Sequence, residues 1–198
     1  MTTLHLVKIR ERSAKSLEAL KQWVEVETLH QHENKVLLML TLLIGAVVGL
    51  VIVAFIVLNE NLGARMYPAG GHAWRRIVVP VLGALITGYL LKRYFPNARG
   101  SGIPHTKTAL FIHGGVIRFR TVLGKFGCSS LSLASGIALG REGPSVQAGA
   151  GIASTLGRQL GLSPETIKSL VPIGAAAALA AAFNTPIAAV LFTLEEVM

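Results

Sequence analysis

Residues 36–58 carry no charge and a single Thr over 23 positions. At about 1.5 Å per residue this run spans a hydrocarbon core of about 30 Å, so it predicts a transmembrane helix. Gly45 and Gly49 lie one turn apart in it, a small-residue pair suited to close helix packing. Ahead of it, 13–30 is patterned at helical spacing. Leu17, Leu20, Trp23 and Val24 share one face and Lys15, Glu18, Lys21 and Glu25 stay wet, although Leu29 falls off the apolar stripe. That predicts an amphipathic helix on the cytoplasmic membrane surface. Residues 59–76 read as a Gly- and Pro-containing loop on the far side, with Tyr67 and Trp74 as interfacial aromatics. Residues 77–91 read as a second, short span closed by Lys92 and Arg93, with Pro80 in its first turn.

From residue 100 the pattern changes. The apolar pieces become short and rich in Gly, Ala and Ser: 121–139, then 144–160 with Gly149, Ala153 and Gly157 one turn apart. Residues 170–194 are 25 uncharged positions, but Asn184-Thr185-Pro186 interrupts them. The residue before a proline resists the α region, so this stretch predicts two helices meeting near the membrane interior. Non-helical backbone at membrane depth is tolerated only where protein or a watery cavity covers it. Short, broken helices therefore favour a channel or carrier over a receptor anchor.

Composition agrees. Hydrophobic residues make up 52% and charged residues 15%, with a mean hydropathy of +0.56, where soluble domains carry about a quarter charged residues. The first run is too long and too late for a signal peptide, and no small-residue cleavage site ends it. The net charge of +9 does not indicate nucleic acid. Its basic residues cluster at Lys8, Arg10, Arg12, Lys15 and Lys21 and again at Lys92, Arg93, Arg99 and Lys107, as cytoplasmic loops do. The N-terminus is therefore expected in the cytoplasm, in a multi-pass protein of the plasma (inner) membrane. Cys128 is the single cysteine and suits a packed thiol. His30, His32 and Glu33 suit a solvated turn rather than a metal site. No enzyme motif survives inspection. Phe126 follows "GK" where a phosphate loop needs Ser or Thr, and Gln147 ends "GPSVQ" where a nucleophile elbow needs Gly.

The chemistry concentrates at three interruptions: "GSGIP" at 100–104, "GREGP" at 140–144 and "NTP" at 184–186. Each places Pro where a helix begins. A helix N-terminus presents free N–H groups and about half a positive charge, an anion site that needs no buried cation. A permeating ion also needs weak binding to leave again. Ser101 is either such a site's hydroxyl or an ordinary N-cap. Glu142 stands in an apolar setting just ahead of the helix predicted from Pro144. Ionised, it would plug the positive end; protonated, it would leave and admit an anion. The other reading is an acid stabilising its own helix, with Arg141 as an interface anchor. Glu195 and Glu196 point about 100° apart on a helix, so only one can face a given path; both also suit solvated helix-end acids.

"GSGIP", "LGKFG" at 123–127, "GREGPSVQAGAGI" at 140–152 and "GAAAALAAAFNTPIAAVLFTLEE" at 174–196, in this order, resemble the CLC family of chloride channels and chloride–proton exchangers. The resemblance covers about 36–198. It implies an all-α, inverted-repeat membrane fold with short, tilted and broken helices, and a homodimer whose subunits each hold an anion path. Residues 1–35 then form a cytoplasmic segment and 36–198 the first repeat. The implied function is chloride–proton antiport, the alternatives being a passive voltage- or pH-gated channel of the same family or a non-transporting membrane fragment. Matched residue by residue, Ser101, with Gly102 and Ile103, resembles the hydroxyl site for the central chloride. The amides around Gly143, Pro144, Ser145 and Val146 resemble the ring that binds anion at the helix start. Glu142 resembles the gate, and Glu196 the inner acid that supplies protons. Chloride and protons are substrates, and no cofactor or metal is implied. His105 departs from relatives that often carry Glu there. The family's G-x-F-x-P loop and late Tyr are absent, since Tyr67, Tyr89 and Tyr94 all come too early. The chain is thus expected to be the first half of a subunit and to move no chloride alone.

Overall fold

A computed structural model describes residues 35–68 and 71–198. The amphipathic helix expected over 13–30, and His30, His32 and Glu33, lie outside the described residues. Backbone contacts divide the chain into two units, 1–42 and 43–198. Of the first only 35–42, the opening turns of a helix, is described; everything below concerns the second.

Every regular element among the described residues is helical. Helix α1 (Lys35–Met66) has 32 residues, about 48 Å at 1.5 Å per residue, longer than a hydrocarbon core of about 30 Å. The sequence reading ended it at Leu58. The polar residues after that point do not break a helix whose hydrogen bonds are already propagating, and Asn59 closes back onto the Phe55 carbonyl at 2.7 Å. Helix α2 (Arg75–Arg93) begins two residues earlier than expected. Pro80 therefore sits in its second turn rather than its first. A short 3₁₀ turn (Pro96–Ala98) leads into α3 (Ile103–Phe111). Then come α4 (Phe119–Ala134), α5 (Glu142–Gln159), α6 (Pro164–Phe183) and α7 (Pro186–Glu196). Among the described residues, only α1 and α6 are long and apolar enough to cross a membrane by themselves.

Small residues decide which helices meet. A Cβ on Gly149 would lie 2.5 Å from that of Ala178, and one on Gly174 would lie 2.6 Å from that of Ala153. Gly157 faces Ile167 and Leu170. Helix α5 thus lies antiparallel against α6, and the stripe at 149, 153 and 157 finds the partner helix it requires. Helix α2 is antiparallel to α4. Gly83 meets Ser135, the Ser132 hydroxyl donates to Thr87 at 3.2 Å, and Gly124 meets Phe95. Gly45 and Gly49, by contrast, have no neighbour among the described residues.

The break at 184–186 takes the form expected. Asn184 adopts the left-handed region (φ 55°), Thr185 is pushed out of the α region (φ −131°, ψ 76°), and Pro186 opens α7. At the other end of α6 the Ser163 hydroxyl accepts from the Thr166 amide at 3.2 Å, an N-cap followed by Pro164 in the first turn. Tyr67 is more than an interfacial aromatic. Its hydroxyl donates to the Ser135 carbonyl at 2.6 Å, pinning the end of α1 to the end of α4.

Candidate functional site

Two of the three interruptions meet head to head. A Cβ on Gly102 would stand 2.5 Å from the Gly143 carbonyl oxygen and 3.0 Å from the Gln147 Cβ, and a Cβ on Gly143 would strike the Ser101 carbonyl. Glycine is thus required at both positions for the α3 and α5 N-termini to approach. Gly102 is doubly constrained, because its φ of 109° is one that L side chains rarely adopt. The third interruption stays outside this cluster: Asn184, Thr185 and Pro186 are exposed.

The plain N-cap reading of Ser101 does not hold. Gly102 occupies the cap of α3, and no side chain caps it. The Thr106 amide and hydroxyl both donate to the Gly102 carbonyl, at 3.0 Å each. The Ser101 hydroxyl is left for another acceptor. Helix α5 begins at Glu142 with Arg141 as its cap, two residues before the proline that was expected to open it. Proline lacks an N–H, and the first helical turn has no intrahelical use for one. That shift changes which amides are free. Ser145 donates to the Arg141 carbonyl at 3.1 Å and Pro144 has nothing to donate. The unspent donors lie at Arg141, Glu142 and Gly143, earlier than the 143–146 ring. Ser145 and Val146 are fully buried behind them, and the Ser145 hydroxyl has no partner.

A cavity of about 250 Å³ lies between these helix ends, lined by Ser101, Ile103, Gly143, Pro144, Lys125, Ser129 and Glu142 among others. Lys125 is the residue the sequence reading missed. The site was expected to manage without a buried cation, yet Lys125 is only 3% exposed in α4. Its ammonium donates to the Gly100 carbonyl at 2.5 Å and the Ala98 carbonyl at 3.3 Å. It thereby holds the backbone just ahead of Ser101 and brings a basic side chain to the two helix ends. The signal was present in "LGKFG", whose lysine precedes an uncharged run to Leu139.

Glu142 lines two cavities. Besides the one above, it borders a second of about 360 Å³, together with Asn59, Glu60, Arg141 and Phe183. Leu133, Leu139 and Gly140 also border both. Its carboxylate folds back over Gly140, where a Cβ would collide with Oε2. The side chain is exposed rather than sealed in an apolar pocket. Arg141 stacks over the Phe183 ring at 5.5 Å. The acids at the other end are also distinguished. Glu196 pairs with Lys107 at 3.9 Å, joining α7 to α3, whereas Glu195 has no ion-pair partner among the described residues. Cys128 is buried and free, as its small neighbours suggested.

The family model for voltage gated chloride channels matches residues 82–198. Solved structures share the architecture. A slow cyanobacterial Cl⁻/H⁺ antiporter superposes with a TM-score of 0.73 at 27% identity, over 81% of this chain and 40% of that one. A CLC-type fluoride/proton antiporter gives 0.69 at 31% identity, with the same coverages. The chain thus spans about two fifths of the length of these relatives. The match covers α3 to α7, which build the first cavity; α1, which supplies Asn59 and Glu60 to the second, lies outside it. The chain belongs to the voltage gated chloride channel family.

Proposed function

We propose that residues 36–198 form the first of two repeats of a chloride–proton antiporter subunit, with Glu142 as both gate and proton carrier. The observation that carries this reading is the position of Glu142 between two cavities, one of which holds the Ser101 hydroxyl, the Lys125 charge and two opposed helix N-termini. An anion in the inner cavity meets donors at Ser101 and at the free amides of 141–143. Apart from Lys125, Ser129 and Glu142, the remaining side chains of the wall are apolar, through Ile103, Leu133 and Leu139. Few donors among apolar walls suit chloride better than the more strongly hydrated fluoride. An ionised Glu142 competes with the ion for the same positive helix end. When protonated it loses that attraction, swings toward the outer cavity and opens the path. Each opening then carries a proton one way and an anion the other.

Glu196 serves as the inner proton acceptor in this reading. Its pairing with Lys107 orients it toward α3, the helix that follows Ser101 and its capping Gly102, and Glu195 points elsewhere. Two proton-coupled antiporters share this fold, and exchange over passive conduction rests here on Glu196. Helix ends from a second repeat would complete the site, as inverted-repeat transporters require.

The test is Glu142→Gln in a complete subunit reconstituted in liposomes. Chloride efflux persists or accelerates while chloride-driven proton uptake disappears. Proton uptake that survives the substitution removes Glu142 from the gate. Fluoride efflux on the same vesicles checks the choice of anion.

A further inference from the structure

We propose that the basic end of the helical domain holds a binding cavity for the phosphate monoester headgroup of an anionic membrane lipid, gripped by Arg118, His105 and His113. This inference does not rest on the transport reading. The cavity, of about 410 Å³, is separate from the two that Glu142 borders. Helix α3 supplies His105 and Thr108 to it, the turn after α3 supplies His113, Arg118 and Thr121 come from the cap and first turn of α4, and α5 supplies Gln147.

Charge argues for a phosphate. No Asp or Glu occurs between Glu60 and Glu142, while Lys92, Arg93, Arg99, Lys107, Arg118 and Arg120 all fall there. Among the described residues the Arg118 side chain has no ion-pair partner. Its planar fork suits a phosphate, and Thr121 adds a hydroxyl donor, whereas the Thr108 hydroxyl is spent on the Pro104 carbonyl at 2.9 Å.

Gln147 argues for a monoester. It is 2% exposed, and its Oε1 has no hydrogen-bond partner, while its Nε2 makes only a long 3.4 Å contact to the Asn97 carbonyl. Neither end of the amide is firmly held, so Gln147 is free to turn its NH2 onto a bound anion. A phosphate monoester carries about −1.5 to −2 charge near neutral pH and three strong acceptor oxygens for these donors. A phosphodiester carries a single charge.

The surroundings argue for a lipid as the source. Helices α2 and α4 are antiparallel, so Lys92 and Arg93 at the end of α2 share an end with Arg118 at the start of α4; Arg120 stacks over Phe95 at 5.9 Å. Basic ends of this kind face the cytoplasmic leaflet, where anionic lipids add about 1 kcal/mol per Lys or Arg. A smaller cavity of about 170 Å³ shares Asn97, Arg118 and Thr121 with the first and continues it toward Tyr94 and Phe95. Ile112, Val116 and Phe119 are exposed beside it, at 73%, 43% and 50%. A polar cavity that opens beside apolar side chains fits a headgroup with its chains.

Native mass spectrometry tests this on the purified full chain and on a complete subunit, in detergent with phosphatidic acid, phosphatidylglycerol or phosphatidylcholine added. Phosphatidic acid should be retained at least tenfold better than phosphatidylglycerol, and Arg118→Gln should erase the difference. Gln147→Leu should reduce the preference for monoester over diester without abolishing binding of anionic lipid. Circular dichroism on both variants separates loss of the site from loss of the fold. Equal retention of the two anionic lipids in the folded wild-type chain overturns the proposal, and so does an unchanged Arg118→Gln. Displacement of the lipid by inorganic phosphate at equal concentration shows a free-anion site and overturns the lipid source. Binding by this chain that vanishes in the complete subunit shows that the rest of the protein fills the cavity, which also overturns it.

Discussion

Replacing Gly102 by Ala tests the meeting of the two helix ends. The new Cβ stands 2.5 Å from the Gly143 carbonyl oxygen, so α3 and α5 must part by about 0.9 Å to restore an ordinary 3.4 Å contact. Overpacking of this kind costs about 1–3 kcal/mol. Left-handed backbone at φ 109° adds about 1–2 kcal/mol for any residue with a Cβ. The sum, about 2–5 kcal/mol, falls on the N-termini that line the inner cavity. A shift of about 1 Å in a positioned site can cost up to about 10²-fold, and chloride affinity should drop by a large part of that. Gly100→Ala is the control. Its φ is 74°, but nothing lies within 4 Å of its added Cβ, so it bears the backbone strain without the collision. Isothermal titration of chloride and the thermal midpoint, measured on both variants of a complete subunit, read the difference. Gly102→Ala should lose at least tenfold more affinity than Gly100→Ala and unfold at a lower temperature. Equal losses would mean that only strain matters and that the two helix ends do not touch.

Lys125→Met keeps the side chain's length but removes the ammonium that holds the Gly100 and Ala98 carbonyls. Hydrogen bonds to a charged donor are worth about 1.5–3 kcal/mol, so chloride affinity should fall about tenfold or more, and an unchanged affinity by titration would restrict Lys125 to packing. Glu196→Val should leave chloride efflux intact and abolish proton uptake, while Glu195→Gln, at a side chain with no ion-pair partner among the described residues, should do much less; equal effects in the liposome assay would place the proton entry elsewhere. Ser101→Pro should weaken the preference for chloride over nitrate in competition assays, because a hydroxyl donor with no cap to satisfy is lost.

The sequence by itself determined the class, the order of the helices and the three places where they break. Those follow from local rules: uncharged runs long enough to span lipid, and prolines that forbid the preceding residue the α conformation. It also marked Ser101 and Glu142, because a hydroxyl and a lone acid stand out in an apolar chain. It misplaced the ends of α1, α2 and α5 by two to eight residues, since helix propagation continues through Asn59 and Glu60, and an early proline interrupts no hydrogen bond in a first turn. Only tertiary structure decided which breaks belong together. Glycines at 102 and 143 let two N-termini touch while the third break stays exposed, and no spacing along the chain encodes that choice. The same holds for Lys125. A lysine in a membrane helix reads as an anchor until packing buries it 24 residues from Ser101 in sequence, with its charge turned onto the carbonyls ahead of that residue. Which cavity Glu142 separates from which, and which of two adjacent acids finds a lysine on another helix, are likewise properties of helices brought together from a distance, where sequence periodicity gives a side chain's face but never its neighbour.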